Sequence, residues 1–203
     1  MKTIPILTAI CFLILNSPDA YATKVKSVNL EQMVQGADRI FVGTCVTVED
    51  DTAPGTEIPV TTYTFSVSER IKGVTGDILT VRQFGVRQPR VQGDQALVFR
   101  IPGMPVYRIG QKVVLFLIAD SSLGLTSPVG LSQGAFTIEE RDGRKVLQNG
   151  NQNLGLFKDL SPEASAKKWQ LSEKEVNLFS VKKGPIDPIT FIGVVRKMAA
   201  SPQ

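Results

Sequence analysis

The sequence predicts a mainly β, α+β fold in which strands make up the first part of the chain and short helices the last part. Between residues 39 and 147, apolar and polar residues alternate with a period of two, and turn residues separate the alternating runs. Beyond residue 150 this alternation ends and helix-capping signals take its place. A chain of 203 residues that is 42% hydrophobic fits one ordinary globular domain.

Residues 1–22 have the pattern of a secretory signal peptide. Lys2 supplies a short positive start, Ile4 to Leu15 form an apolar stretch, and Ala20 to Ala22 match an A-x-A cleavage site. A transmembrane anchor is the alternative, but the apolar stretch contains a proline and is too short to span a bilayer. We therefore expect export to the periplasm or the extracellular space, a mature chain that starts at Thr23, and no membrane span in it.

A short helix and a long strand come next. Asn29 and Gln32 have the spacing of a capping box, which predicts a helix over residues 30–35. From Arg39 to Val48, β-branched residues alternate with the others, which predicts a strand. Cys45 lies inside this strand, and we expect both faces of the strand to be partly covered.

Two further strands follow a loop at residues 52–59. Residues 61–71 have one apolar face and one face of Thr and Ser, which is typical of a half-buried strand. A third strand is predicted over residues 77–84. The apolar face of the second strand consists of Tyr63, Phe65, Val67 and Ile71.

The long connection, residues 85–107, carries three prolines and several spaced arginines. A connection of this length in a compact domain is usually functional or mobile, and residues 95–99 could form a short edge strand within it. One interpretation is a contact surface for an acidic or extended partner, in which arginines orient the partner and apolar side chains hold it. The alternative is a solvated insertion whose prolines protect a sheet edge. The candidate contact residues are Arg87, Arg90, Phe99, Arg100, Met104 and Tyr107, and Val98 is a further apolar side chain that could contribute to the contact.

A central strand and a hairpin complete the strand-rich part. Residues 112–119 are a continuous apolar run, which predicts a strand in the middle of a sheet. Asp142-Gly143 is a strong type I′ turn signal. A two-residue loop there would place Glu140 opposite Lys145 and Ile138 opposite Leu147.

The last part, residues 151–203, is predicted to be a linker followed by a helical extension, so the strand-rich domain covers residues 23–150. The polar residues 149–153 precede three helix starts. The apolar face of the last helix is expected to consist of Ile189, Ile192, Val195 and Met198. The helix starts are Ser161-Pro162, Ser172 with Glu175, and Asp187-Pro188.

Several catalytic chemistries are excluded because the chain contains no histidine. A Cys–His pair, a Ser–His–Asp triad and any histidine metal site are impossible. Ser132 matches the bare G-x-S-x-G spacing but lacks the strand–turn–helix context of a hydrolase nucleophile. Cys11 would leave with the signal peptide, so Cys45 is expected to be a buried, reduced core residue, with an intermolecular disulfide as the alternative. We therefore expect no enzyme activity, no cofactor and no metal.

The order of the strands resembles the netrin-like modules and the inhibitory domain of the tissue inhibitors of metalloproteinases. It is also similar to poorly characterised exported bacterial proteins with the same pattern, some of which are thought to accompany matrixin-type metalloproteases. The resemblance covers roughly residues 28–140. The segments that carry it are ADRIFVGTCV at 37–46, TYTFSVSERIKG at 62–73, ILTVRQF at 78–84, QKVVLFL at 111–117 and GAFTI at 134–138.

The resemblance implies a closed five-stranded antiparallel barrel of the OB type, to which this chain would add a hairpin and a C-terminal helical segment. It also implies binding in place of catalysis. The animal inhibitors begin with a cysteine whose free amine and carbonyl chelate the protease zinc, and disulfides brace that edge. This chain would begin with Thr23 and has no cysteine pair, so that mechanism does not transfer, although Thr23 stays a candidate contact residue.

Two functions from different classes fit these observations. The first is an exported, non-enzymatic protein-binding module, such as an inhibitor or regulator of an exported zinc metalloprotease. The second is a structural or cell-envelope interaction protein without inhibitory activity. A nucleic-acid partner is disfavoured because aromatic residues are few and the formal net charge is only +4.

Overall fold

The computed structural model describes residues 26–92 and 94–201. The predicted signal peptide and the predicted first residue Thr23 lie outside the described residues. Within the described part, no helix has the length and apolar character that crossing a membrane would require.

Six strands form one antiparallel sheet in the order β3-β2-β1-β6-β7-β8, and β4 and β5 form a separate hairpin. The mainly β prediction is therefore confirmed, and β6 is central as its continuous apolar run indicates. The strands are β1 Arg39–Thr52, β2 Pro59–Lys72, β3 Ile78–Phe84, β4 Arg90–Gln92, β5 Gln95–Leu97, β6 Lys112–Leu117, β7 Ala135–Arg141 and β8 Arg144–Asn149. The α-helices are α1 Leu30–Gly36, α2 Pro162–Trp169, α3 Glu173–Asn177 and α4 Pro188–Ala200.

The sheet is open, which corrects the expectation of a closed five-stranded barrel. Within the described residues its edge strands β3 and β8 do not pair with each other. Each edge is instead partly covered by another segment. Leu147 of β8 exchanges two backbone hydrogen bonds with Ile186, at 2.8 and 3.0 Å, and Arg82 of β3 accepts one from Thr126 at 2.9 Å. These bonds use backbone groups at the two sheet edges that a pairing of β3 with β8 would need. Each edge is therefore protected by another segment and not by closure of the sheet into a barrel.

Strand β2 bends where it contains two more residues than its partner β1. Gly43 and Val42 pair with Val67 and Glu69, and Phe41 and Ile40 pair with Arg70 and Lys72, so Ser68 and Ile71 are the two extra residues and interrupt the alternation. Each interruption resets which face the following side chains occupy. Ile71 consequently packs with the helices, in the opposite core from Tyr63, Phe65 and Val67, and the predicted single face is wrong at this residue.

Two hydrophobic cores lie on the two faces of the sheet, and β1 contributes to both. Ile40 and Val42 point into the core that the helices cover. Phe41 and Cys45 point into a second core, which is built from β2, β3, β6 and the end of the long connection. The expectation that both faces of this strand are covered is confirmed.

The hairpin at Asp142-Gly143 forms as the sequence predicts. Both residues have positive φ, 51° and 70°, as a type I′ turn requires. The register places Glu140 opposite Lys145 and Ile138 opposite Leu147. Local turn chemistry is therefore sufficient to set this pairing.

The helix caps are confirmed at Asn29, Ser161, Ser172 and Asp187, whose side chains each accept a backbone hydrogen bond. The buried face of α4 differs from the predicted one, because Ile189 is 80% exposed. The face that packs on the sheet consists of Phe191, Val194, Val195 and Met198, with the i, i+3, i+4, i+7 spacing of a core-facing helix.

The C-terminal segment shares its core with the sheet. The ring centroid of Phe191 in α4 lies 4.9 Å from the ring centroid of Phe136 in β7 and 6.3 Å from that of Phe116 in β6. The predicted polar linker is also ordered: the Asn153 carboxamide donates to Leu147 O at 3.0 Å and to Gly184 O at 2.8 Å. These buried bonds tie β8 to the segment that leads into α4.

Candidate binding cleft

A cleft of about 300 Å³ opens between the β2–β3 end of the sheet and the long connection that follows β3. Four of the residues predicted to contact a partner line it: Arg87, Phe99, Arg100 and Met104. The structure therefore brings together side chains that are up to 17 positions apart in the sequence. Other lining residues include Thr61, Tyr63, Gln83, Val86, Ile101 and Val106.

The wall of the cleft is held by backbone contacts at Gly85. Its N–H donates to Pro59 O at 2.8 Å, and the next N–H, of Val86, donates to Phe99 O at 3.1 Å. Gly85 has φ of 99°, and a Cβ at this position would collide with the Phe99 carbonyl. A residue without a side chain is therefore required where the connection leaves β3.

Arg87 is fixed to β1 through Asp50. Its Nε lies 3.1 Å from Asp50 Oδ1, and its backbone N–H donates to Oδ2 at 3.2 Å. The Thr61 hydroxyl lies 3.0 Å from the same Oδ1 and 2.9 Å from Gly85 O. Its single hydrogen can therefore donate to either acceptor. Arg87 thus carries a charge that a neighbouring carboxylate balances.

Arg100 has a different environment. Its guanidinium donates to the backbone carbonyls of Val86 and Arg87. These bonds hold the end of the long connection near Arg100 against its beginning. Within the described part of the chain, no carboxylate lies at ion-pair distance from it. Its positive charge is therefore oriented by carbonyl dipoles but is not neutralised.

The floor of the cleft includes Tyr63 and Gln83. Gln83 is 2% exposed, and its Nε2 is a buried atom with no hydrogen-bond partner among the described residues. Because Gln83 lies two positions from Val81 on the inward face of β3, its amide is buried beside the Tyr107 phenol, whose hydroxyl also makes no hydrogen bond within the described residues. Sequence reasoning missed it, although a glutamine at an inward position of an alternating strand is a signal that could have found it.

Tyr107, which is predicted to contact a partner, lies in the core and not on the surface. It is 3% exposed and packs edge-on against Tyr63, with ring centroids 4.9 Å apart. Burial raises the pKa of both phenols, so both are neutral at physiological pH. Tyr107 therefore supports the cleft from behind instead of lining it.

Two candidate residues are not located by the structure. The backbone of Arg90 belongs to β4 and pairs with Leu97, but its side chain lies outside the described part. Thr23 is also outside it. The first described residues, however, contact a turn that also touches the rim of the cleft. Gln133 Oε1 accepts from Val28 N–H, and Gln133 Nε2 donates to Lys26 O, both at 3.0 Å. The neighbouring Ser132 N–H donates to Gly103 O at the rim, also at 3.0 Å.

Cys45 is a core residue, as predicted. It is fully buried among aromatic side chains, and its Sγ lies 3.5 Å from Thr47 O. Burial raises the pKa of its thiol, which lowers its reactivity. Among residues 26–92 and 94–201, no group of three or more metal-binding side chains occurs, and Asp50 is engaged with Arg87.

No family model, curated protein or solved structure matches this chain. The resemblance to netrin-like modules therefore stays a prediction from the sequence.

Proposed function

We propose that this protein is an exported, non-enzymatic module that binds another protein through the cleft. One observation carries the proposal: four side chains that the sequence marks as contact residues, Arg87, Phe99, Arg100 and Met104, surround a single cleft. Convergent polar groups over an apolar lining are the usual character of a binding site.

The chemistry of the lining supports binding over catalysis. Its ionisable side chains are two arginines and Tyr63, and burial raises the pKa of that tyrosine. An arginine stays protonated, and a phenol with a raised pKa is a poor general base at neutral pH. These groups can orient a partner but do not form a nucleophile–base pair.

A regulator of an exported zinc metalloprotease is the narrower form of this proposal. What supports it, besides the resemblance of the sequence, is the turn at Leu131–Gln133, which contacts both the rim residue Gly103 and the segment Lys26–Val28. The described residues Lys26–Val28 are therefore joined to the rim of the cleft through this turn. An OB-like order of the strands, without closure into a barrel, belongs to the same proposal.

The test is capture of the partner by the immobilised mature chain from the exported proteins of its own cell. Phe99→Ala with Met104→Ala removes two apolar side chains that line the cleft. Val98→Ala with Ile109→Ala is the matched control, because those side chains are 66% and 70% exposed and do not line it. We expect the first pair to reduce capture about tenfold and the control pair to leave it unchanged.

Equal capture by both pairs, with unchanged melting curves, would remove the cleft as the binding site. If a captured partner is a zinc metalloprotease, inhibition of its peptidase activity by the mature chain tests the narrower form. A captured protein of the cell envelope that is not a protease would favour the structural alternative.

A further inference from the structure

We infer that the cleft recognises an acidic segment of the partner, with one apolar side chain seated in the cleft and an adjacent Asp or Glu carboxylate bound to Arg100. This inference rests on the proposed function and adds the chemistry of the partner. Size, charge and an unpartnered buried amide point to it independently.

The size of the cleft selects a side chain over a whole small-molecule ligand. Pockets for drug-sized molecules span roughly 300 to 1,000 Å³. This cleft has about 300 Å³, at the bottom of that range. Its apolar lining, with Phe99, Ile101 and Met104, fits an aromatic or branched side chain that projects from an extended segment.

The charge of the cleft selects an acid next to that side chain. Two arginines and no acidic residue line it among the described residues. The Asp50 carboxylate balances Arg87, whereas Arg100 donates only to backbone carbonyls. A guanidinium that is oriented but not neutralised is suited to a carboxylate, since charge-assisted pairs are roughly twice as strong as neutral hydrogen bonds. Arg87 therefore holds the wall in place, and Arg100 provides the recognition.

The floor of the cleft supplies a matching donor. The buried Gln83 Nε2 makes no well-aligned hydrogen bond among the described residues, although the unsatisfied Tyr107 hydroxyl lies beside it. Leaving a buried donor unsatisfied is unfavourable. A bound group that accepts a hydrogen bond from this amide would therefore add binding free energy. A backbone carbonyl of the bound segment is such a group, and it would fix how deeply the apolar side chain enters.

The test measures binding of the mature chain to acetylated, amidated hexapeptides by titration calorimetry. Each peptide places Phe, Leu or Met beside Glu, and each has a counterpart with Gln in place of Glu. We expect at least one acidic peptide to bind about tenfold more tightly than its neutral counterpart at low salt, with a smaller ratio at high salt.

Three variants locate the effect. Arg100→Gln should abolish the preference for the acidic peptide, while Arg100→Lys should retain part of it because the positive charge remains. Arg144→Gln is the matched control: it removes one exposed positive charge from β8, at the opposite edge of the sheet, and should leave the preference unchanged. Melting curves identify any variant whose fold has changed. If Arg100→Gln is such a variant, a reduced preference for the acidic peptide in Arg100→Lys tests the same contact.

Equal binding of acidic and neutral peptides, or no binding by any peptide, would overturn the inference. The proposed function would survive either result if capture of the partner still depended on Phe99 and Met104. If capture did not depend on them, the proposed function itself would fail, so the two failures are distinguishable.

Discussion

The carboxylate of Asp50 binds both the guanidinium and the backbone N–H of Arg87. The guanidinium Nε lies 3.1 Å from Oδ1 and the backbone N–H donates to Oδ2 at 3.2 Å, so a residue of β1 fixes the first wall of the cleft. The two side chains are 24% and 40% exposed, which limits what this pair contributes to stability but not its control of the loop position.

Asp50→Asn is therefore expected to loosen the wall without unfolding the protein. We expect a loss of about 0.5 kcal/mol in the free energy of unfolding, as for a surface ion pair, and faster amide hydrogen exchange at Gly85 and Val86. Glu139→Gln is the control, since it breaks the exposed pair with Arg141 in β7. Unchanged exchange at Gly85 and Val86 would show that other contacts hold the wall.

Gln83→Met should stabilise the free protein. The substitution removes a buried donor that makes no well-aligned hydrogen bond within the described residues and keeps a side chain of similar length, so we expect a gain of about 1 kcal/mol. Gln133→Met tests the same change where the amide is satisfied. It would strand Val28 N and Lys26 O and should cost about 2 kcal/mol. Chemical denaturation of both variants measures the difference, and a loss at Gln83 would mean that its amide is satisfied in solution.

Acid is expected to weaken the contact between α3 and α4. Burial by itself would raise the pKa of Glu175, but Lys197 at 2.6 Å and the hydrogen bonds from Ser172 outweigh it and lower that pKa below its ordinary value of 4.5. A carboxylate with a lowered pKa contributes stability that is present above the unfolded value and is lost as the pH falls through the folded value.

The wild type should therefore lose more stability below about pH 4.5 than Glu175→Gln, which has no charge to titrate. Lys197→Met should cost about 2 kcal/mol at neutral pH, because it leaves the carboxylate without its strongest partner. Thermal unfolding at pH 3 to 7 measures both effects. Parallel pH profiles for wild type and Glu175→Gln would contradict this account.

Cys45 is expected to be reduced and unreactive in the native protein. Replacement by Ala or Val should change the free energy of unfolding by about 1 kcal/mol and leave partner binding intact, because the residue is buried and does not line the cleft. Thiol labelling should require unfolding. Rapid labelling under native conditions, or a disulfide-linked dimer on a non-reducing gel, would argue against burial.

The exported protein is expected to begin at Thr23. The apolar stretch and the A-x-A pattern that ends at Ala22 predict cleavage at that bond. Intact-mass measurement of the protein recovered outside the cytoplasm checks the position. A soluble exported form that still contains Lys2 would rule out the predicted cleavage.

Local sequence determined the features that depend on residues close together in the chain. Asp142-Gly143 set both the turn and the register of the hairpin, because the positive φ values that a type I′ turn needs suit those two residues. The caps at Asn29 and Ser172 formed for the same reason, since each side chain bonds a backbone N–H three residues away. The candidate contact residues stay a prediction, but spaced arginines and prolines in an overlong connection did mark the segment that lines the cleft.

Only the tertiary structure decided the features that depend on distant segments. The interrupted pairing of β1 and β2 moved Ile71 to the other core, and packing on the sheet selected Phe191 over Ile189 on α4. Tyr107 became a core residue because its connection folds back over Tyr63. Among the described residues, the same return of the chain paired Arg87 with Asp50, placed no carboxylate at ion-pair distance from Arg100 and buried the Gln83 amide beside the Tyr107 phenol. Sequence periodicity records which residues can be buried, whereas the partner of each buried or charged group depends on contacts across the fold.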